Sequence, residues 1–530
     1  MSTELSLGNR VISIDELVEA AMNLECQVKV ADAAWDKVRR GRQLVERWAD
    51  ERRVIYGMTT GLGELSLKLV PPQFAVALSQ NILRSHAAGV GDILPISTIR
   101  AIMLLRINCL SKGTSGVREE TVSTLVNMFN RQVYPRIRSQ GSVGASGDLA
   151  PLSHLGLVAM GEGDAIYKGE VLEASKALER AGIDPIVPSY KEGLAIINGT
   201  SGMTAIASIA VHDAQRLLKA AQIATAFSLE AFRAPTRPFE PQGHLLRPHP
   251  GQITVARNIR RLLSGSKLAI NDAELSRILE QQMGESDVRV ASAYRQNAYT
   301  LRCVPQIIGP VWEAINHVAR VVETEINSAD DNPLVLLEEE DVFHGGNFHG
   351  QPVAMSMDFL KIALTEIGNV SERRFERYIN ENLSNGLPSF LSPGEPGLDA
   401  GFEGAQYAAT SLLAECRVLA TPASIQSISA NAGFQDVVSM GMIAARQALD
   451  ILHNVQYIVG LEILAAAQAA DFVGMDRLGP ASKAAYDLVR ENVSFMTKDR
   501  PMFIDLDVLR NLVASGEIVR VVENCIGKLD

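Results

Sequence analysis

Between residues 141 and 156 the chain reads GSVGASGDLAPLSHLG, placing serines, Asp148 and His154 among small residues. Serine, histidine and an acid are the parts of a hydrolytic triad, but a triad requires the three to converge around an activated hydroxyl. Ala-Ser-Gly at 145–147 is not the Gly-x-Ser-x-Gly turn that exposes a nucleophilic serine, and no confirming base stands elsewhere in the sequence. A second chemistry suits the small residues better. If the backbone folds back sharply, the Gly147 amide nitrogen reaches the Ala145 carbonyl carbon. Ring closure with loss of two waters, one of them from Ser146, leaves a five-membered ring carrying an exocyclic methylene. Glycine tolerates the crowded backbone that closure demands, and the serine hydroxyl is the group that departs. Ser146 is then the precursor of an electrophile, not a nucleophile.

Other constellations fit known chemistry less well. His344 and His349 in HGGNFHG, with Asp330 and Asp331, have the residue types of a metal-dependent hydrolase. Their spacing on a glycine-rich loop departs from the i, i+4 histidines of a helical zinc site, so no metal is expected. The five cysteines (Cys26, Cys109, Cys303, Cys416 and Cys525) are scattered and form no Cys-x-x-Cys. Neither a zinc site nor a disulfide framework is expected, and a reducing cytoplasm fits. A net charge of -11 without a long Lys/Arg tract argues against a nucleic-acid partner.

These groups must be positioned by helices. The chain is 47% hydrophobic and 21% charged, an ordinary globular balance. Apolar residues three and four apart recur through 202–232, 354–380 and 437–472, as in Phe359, Ile362, Ala363 and Ile367. Helices apolar on more than one side must be buried by other helices. Strand signals are weak, and Asn-Gly or Asp-Gly hairpin turns between alternating segments are absent. The expected fold is mainly α: residues 1–200 form an N-terminal mixed or helical domain carrying the Ala-Ser-Gly loop. Residues 201–530 form a long-helix bundle core and a C-terminal helical part. The first twenty residues lack a basic region followed by an apolar core, so no signal peptide is expected. The apolar stretch 457–472 is interrupted by Glu462 and Asp471 and is shorter than the roughly 20 residues that span a bilayer, so it reads as a buried helix rather than a membrane segment.

The 141–156 segment resembles the signature of the aromatic amino-acid ammonia-lyases and 2,3-aminomutases. So do YGMTTGLGE (56–64), LRSHAAGVG (83–91), KEGLAIINGTSGM (191–203), QNAYTLRCVPQIIGP (296–310), NSADDNPL (327–334), HGGNFHGQPVAM (344–355) and FQDVVSMG (434–441), in the same order. The resemblance runs from about residue 10 to 525. It implies the 4-methylidene-imidazol-5-one (MIO) group, formed autocatalytically from Ala145, Ser146 and Gly147, and neither a metal nor a nucleotide. It implies that Tyr56 removes the β-proton of the substrate; a phenol with a pKa of about 10 needs nearby donors or positive charge to act so. Arg302 would grip the substrate carboxylate through its guanidinium fork. Asn198 and Gln296 would orient carboxylate and MIO oxygen, Phe348 would pack beside the ring, and Glu415 would relay a proton near the amine. Tyr299 falls on the same face as Arg302 if that segment is helical. Active sites in the family combine residues of several subunits, which implies a homotetramer.

Specificity is read from fewer positions. His86 after Ser85 matches histidine ammonia-lyases and bacterial tyrosine aminomutases, and would contact the substrate ring. Gln351 and Gln435 stand where histidine ammonia-lyases commonly carry glutamates, which disfavours a cationic imidazole. The resemblance is therefore to a tyrosine 2,3-aminomutase making β-tyrosine, with tyrosine, phenylalanine or histidine ammonia-lyase as the alternative. Leu62 replaces an aromatic residue common in relatives on the loop behind Tyr56. A helical lyase without the ring, or an inactive helical scaffold, would leave Ala-Ser-Gly unexplained. Intact-protein mass separates these readings: the mature chain is expected to fall short of its sequence mass by two waters, and Ser146→Ala to abolish both deficit and activity.

Overall fold

The apolar runs fold into long helices at Ser201–Ala231, Val304–Ile326, Gln351–Ile379 and Gly441–Val473. The structure is a computed structural model that describes residues 4–284, 287–395 and 397–530. Among these residues are twenty α-helices and nine short strands, so the chain is mainly α. It divides into two units. The first comprises Met1–His212, Val318–Asp358 and Pro422–Gln447, and the second Asp213–His317, Phe359–Thr421 and Ala448–Asp530. Each unit gathers three separated stretches, and four of the five breaks fall inside the long helices.

In the second unit, Glu462 explains how a charge sits within an apolar run. Its carboxylate accepts from Arg374 Nε at 2.6 Å and Nη2 at 2.9 Å, from Ser228 Oγ at 2.7 Å and from Ser371 Oγ at 2.6 Å. Arg374, Glu462 and both serines are buried, and a buried charge persists only when paired and hydrogen-bonded. Phe232 stacks on Tyr378 beside this cluster with ring centroids 4.3 Å apart. The helix Gly441–Val473 is long and apolar enough to cross a bilayer by composition, but 72% of its most apolar window is buried within the protein.

The first unit combines helices with small sheets. Ile14–Met22 starts on a capping box, Ser13 and Glu16 each satisfying the other's backbone N–H. Its other end is held by Arg100, whose guanidinium donates to the carbonyls of Ala20, Ala21 and Asn23. A cation on carbonyls at a helix C-terminus is favoured by the dipole. The buried helix Ile96–Leu110 supplies both Arg100 and Arg106. Strands Val133–Pro135, Asp164–Tyr167 and Glu170–Glu173 form an antiparallel sheet that sequence patterning did not reveal. They are short, and their hairpin turns on Lys168 and Gly169, at φ 50° and 84°, instead of Asn-Gly. Two positive φ values are what a two-residue primed turn requires.

Arg374→Met leaves Glu462 buried without its cation. Urea unfolding is expected to show a loss of about 3–5 kcal/mol, and the double variant Arg374→Met/Glu462→Gln is expected to lose less.

Candidate active site

The Ala-Ser-Gly segment is a tight turn. Gly144 and Gly147 pair across it, leaving Ala145 and Ser146 as its central residues. Ser146 has φ +51° while Ala145 is not in the left-handed region, the sign pattern of a type II turn, which places the chain on either side of Ser146 face to face. Gly147 lies against Gly199 so closely that a Cβ on Gly147 would stand 2.0 Å from the Gly199 carbonyl oxygen. Backbone bonds lock this approach: Gly199 N–H donates to Ser146 O at 3.0 Å and Asp148 N–H to Gly199 O at 2.7 Å. The fold-back, the absence of room for side chains and the small residues together fit closure of the MIO ring from Ala145, Ser146 and Gly147.

Buried charges brace the turn. Asp148 accepts from Ser142 Oγ at 2.8 Å and from Met203 N–H at 2.6 Å, at the start of the helix Ser201–Ala231. Burial pushes its carboxyl up to about 6 despite those donors. Arg106 binds the carbonyl of Asn198 at 2.6 Å and Asp330 at 2.8 Å, and Asp330 in turn accepts from Thr200 N–H at 2.6 Å. The Thr200 hydroxyl meets both Glu325 and Asp330. One hydroxyl proton cannot serve two carboxylates, and the arrangement closes when Glu325 holds a proton. Burial pushes Glu325 up to about 7, with Asp330 and Asp148 adding to the rise against the Thr200 hydrogen bond.

The turn opens on a cavity of about 350 Å³, a volume suited to a small aromatic ligand. Tyr56, Ala145, Ser146, Asn198, Phe348 and Gln435 line it, so six of the residues singled out in the sequence meet there. Gln435 Nε2 donates to Ser146 Oγ at 3.1 Å. The Tyr56 hydroxyl accepts from Gly63 N–H at 2.9 Å. Burial outweighs that donor and raises the phenol above its usual value, the reverse of what a base needs. His86 is half-buried with Nδ1 at 3.0 Å from both Ser85 Oγ and Ile82 O, and it is not part of the cavity lining.

Gln296, Tyr299, Arg302 and Glu415 belong to the second unit and do not line this cavity. There the short helix Tyr299–Arg302 sets the Arg302 guanidinium 4.8 Å from the Tyr299 ring, and Glu415 accepts from Asn454 at 3.1 Å. The lining also includes Asn332, His344, His349, Phe434 and Val437, to which the sequence gave no place at this site. His344 Nε2 accepts from Tyr56 N–H at 3.3 Å and His349 Nε2 lies 3.2 Å from Val437 O, so both rings serve backbone groups. Among the described residues no three His, Cys, Asp or Glu side chains gather as a metal site would require. Only the shared HGGNFHG segment hinted that His344 and His349 lie near the chemistry.

Helical fold, glycine-tight turn and adjoining cavity define an enzyme of the ammonia-lyase and aminomutase class. The chain belongs to the aromatic amino acid lyase family, which it matches over residues 12–491. It is 45% identical to the histidine ammonia-lyase of Alkaliphilus oremlandii across 99% of each chain. It is 44% identical to the MIO-dependent tyrosine 2,3-aminomutase of Streptomyces globisporus, across 96% of this chain and 94% of that one. The crystal structure of the tyrosine aminomutase from Streptomyces globisporus superposes with a TM-score of 0.96 at 41% identity, covering 99% of this chain and all of the other.

Glu325 yields a signed pH effect. Its folded pKa of about 7 exceeds the unfolded value of about 4.3. The folded state then holds the extra proton between those values, and that stabilisation is lost as pH rises through 7. Wild-type stability relative to Glu325→Gln is expected to decline from pH ~5 to pH ~8 in chemical denaturation.

Proposed function

We propose that the protein is an MIO-dependent tyrosine 2,3-aminomutase, which removes ammonia from L-tyrosine, retains the coumarate-type acid and returns the amine to the β-carbon. The observation that carries this reading is Gln435, whose neutral amide lies in the cavity bonded to Ser146. A carboxylate there would favour a cationic imidazole; an amide beside Phe348, Phe434 and Val437 suits a neutral ring. The likeness to the tyrosine aminomutase structure supports it.

The ring made from Ala145, Ser146 and Gly147 supplies an electron-poor methylene that activates the substrate amine for departure. Tyr56 is the base for the β-proton. Because burial raises its phenol, it needs a positive charge brought close when substrate binds. Arg302 is assigned to the substrate carboxylate through two parallel hydrogen bonds, Gln296 and Asn198 to orientation, Tyr299 and Glu415 to proton handling near the amine, and His86 to the substrate ring. A homotetramer sharing these residues between subunits, at work in the cytoplasm, completes the reading. Whether the acid leaves or is recaptured depends on how long the loop carrying Tyr56 and Leu62 stays closed.

A second reading, histidine ammonia-lyase, is favoured by the Alkaliphilus relative, the Ser85-His86 pair being common to both readings. Separate incubation with L-tyrosine, L-phenylalanine and L-histidine, followed by chromatography, distinguishes them. β-Tyrosine is expected from tyrosine, and Tyr56→Phe is expected to cut all products at least ~100-fold. Coumarate without β-tyrosine at any time would reduce the assignment to a lyase; urocanate as the main product would make histidine the substrate.

A further inference from the structure

The loop behind Tyr56 runs into a short 3-10 turn, Gly63–Leu67. Leu65 N–H reaches the Leu62 carbonyl at 3.0 Å, but the N–H groups of Gly63 and Glu64 before it have no acceptor within the turn. Leu62 holds the capping position with an apolar side chain, so the turn cannot cap itself. Two side chains from outside it supply the acceptors. The Tyr56 hydroxyl takes Gly63 N–H at 2.9 Å, and Asn431 Oδ1 takes Glu64 N–H at 3.3 Å. Asn431 also lies so close that a Cβ on Gly63 would stand 1.9 Å from its Nδ2.

Asn431 sits on a second loop, closed by Ala430 and Gln435, which bond each other N–H to O at 2.9 and 3.2 Å. Between them Asn431, Ala432 and Gly433 take φ of +51°, +52° and +87°. Asparagine enters this left-handed region more readily than most residues with a side chain, and the paired ends hold the bend. The same bend presents Phe434 and Gln435 to the cavity. Both loops belong to the first unit.

We infer that Asn431 is a positioning residue: its side-chain oxygen caps the turn behind Tyr56 and latches that loop to the one carrying Phe434 and Gln435, so that the two loosen and close together. The latch rests on this geometry alone. Its consequence, longer retention of the unsaturated acid, rests on the aminomutase reading. Asn431 does not itself line the cavity. Its bond to Glu64 is single and exposed, which suits a contact that must break whenever the site opens. Asn431→Gly removes the acceptor and spares the left-handed backbone. Asn431→Asp keeps an acceptor for the Glu64 N–H and tolerates the same backbone.

The test joins two measurements on the full-length chain. Amide hydrogen exchange follows peptides from 57–67 and 430–437. In Asn431→Gly both are expected to exchange faster by about threefold or more, the size of one neutral hydrogen bond, with the rest of the first unit unchanged. Turnover of L-tyrosine then gives the ratio of β-tyrosine to free coumarate, expected to fall by a similar factor of about three. Asn431→Asp is expected to hold the parent's exchange and ratio. If Asn431→Gly does not fold, Asn431→Ala carries the same expectations, since Ala432 already adopts the left-handed backbone. The inference is overturned by unchanged exchange at 57–67, by equal acceleration in Asn431→Asp, by acceleration spread through the whole unit, or by loosened loops with an unmoved product ratio. A parent that forms no β-tyrosine removes the aminomutase reading alone, and hydrogen exchange then decides the latch by itself.

Discussion

The first unit is built around two stretches of backbone that approach too closely for any side chain between them. Gly147 meets the Gly199 carbonyl, and a Cβ on Gly199 would itself fall 2.6 Å from Asp330 Oδ2. Just before Gly147, Ser146 sits at φ +51°, a conformation that costs an L-residue about 1–2 kcal/mol. Such strain persists only where the surroundings over-determine it. Here they do so through main-chain bonds on both sides of Ser146 and through Asp148, which ties the turn to the start of a long helix.

The charges around this turn serve a different purpose from those in the second unit. Arg374 and Glu462 let long helices pack where a polar run would otherwise be excluded. Arg106–Asp330 and Lys191–Asp331 hold particular polar atoms at particular angles. Buried ion pairs contribute little net stability compared with apolar packing. Their value near the cavity lies in orientation: Asp330 also accepts from Thr200, and Asp331 from Asn198 and the Asn332 N–H.

One architecture serves enzymes named for histidine and for tyrosine, so the fold alone does not select the substrate. In the proposed function, selection falls to single side chains such as Gln435, and the fate of the unsaturated acid to the loop behind Tyr56. A change from carboxylate to amide alters the charge that a ligand ring meets while leaving every helix in place.

The long helices were legible from apolar spacing because helical periodicity is a local property, and Glu462 was visible as a break in it. The tripeptide able to cyclise was legible for a stronger reason: its three residues are contiguous, whereas the Gly199 backbone that locks its turn was not. The short strands were not, since pairs of three or four residues turned by Lys168-Gly169 carry little pattern. Nor were Asn332, His344 and Val437, which reach the cavity from loops far apart in the chain. The rise of the Tyr56 phenol was not visible either, because burial, which causes it, is a property of the folded surroundings. By itself the amino-acid order determined a helical protein containing a tripeptide able to cyclise. Only the tertiary structure decided which partners hold the Asn198 amide and which carboxyls are pushed toward keeping their protons, because hydrogen-bond partners and desolvation depend on neighbours that sequence separation conceals.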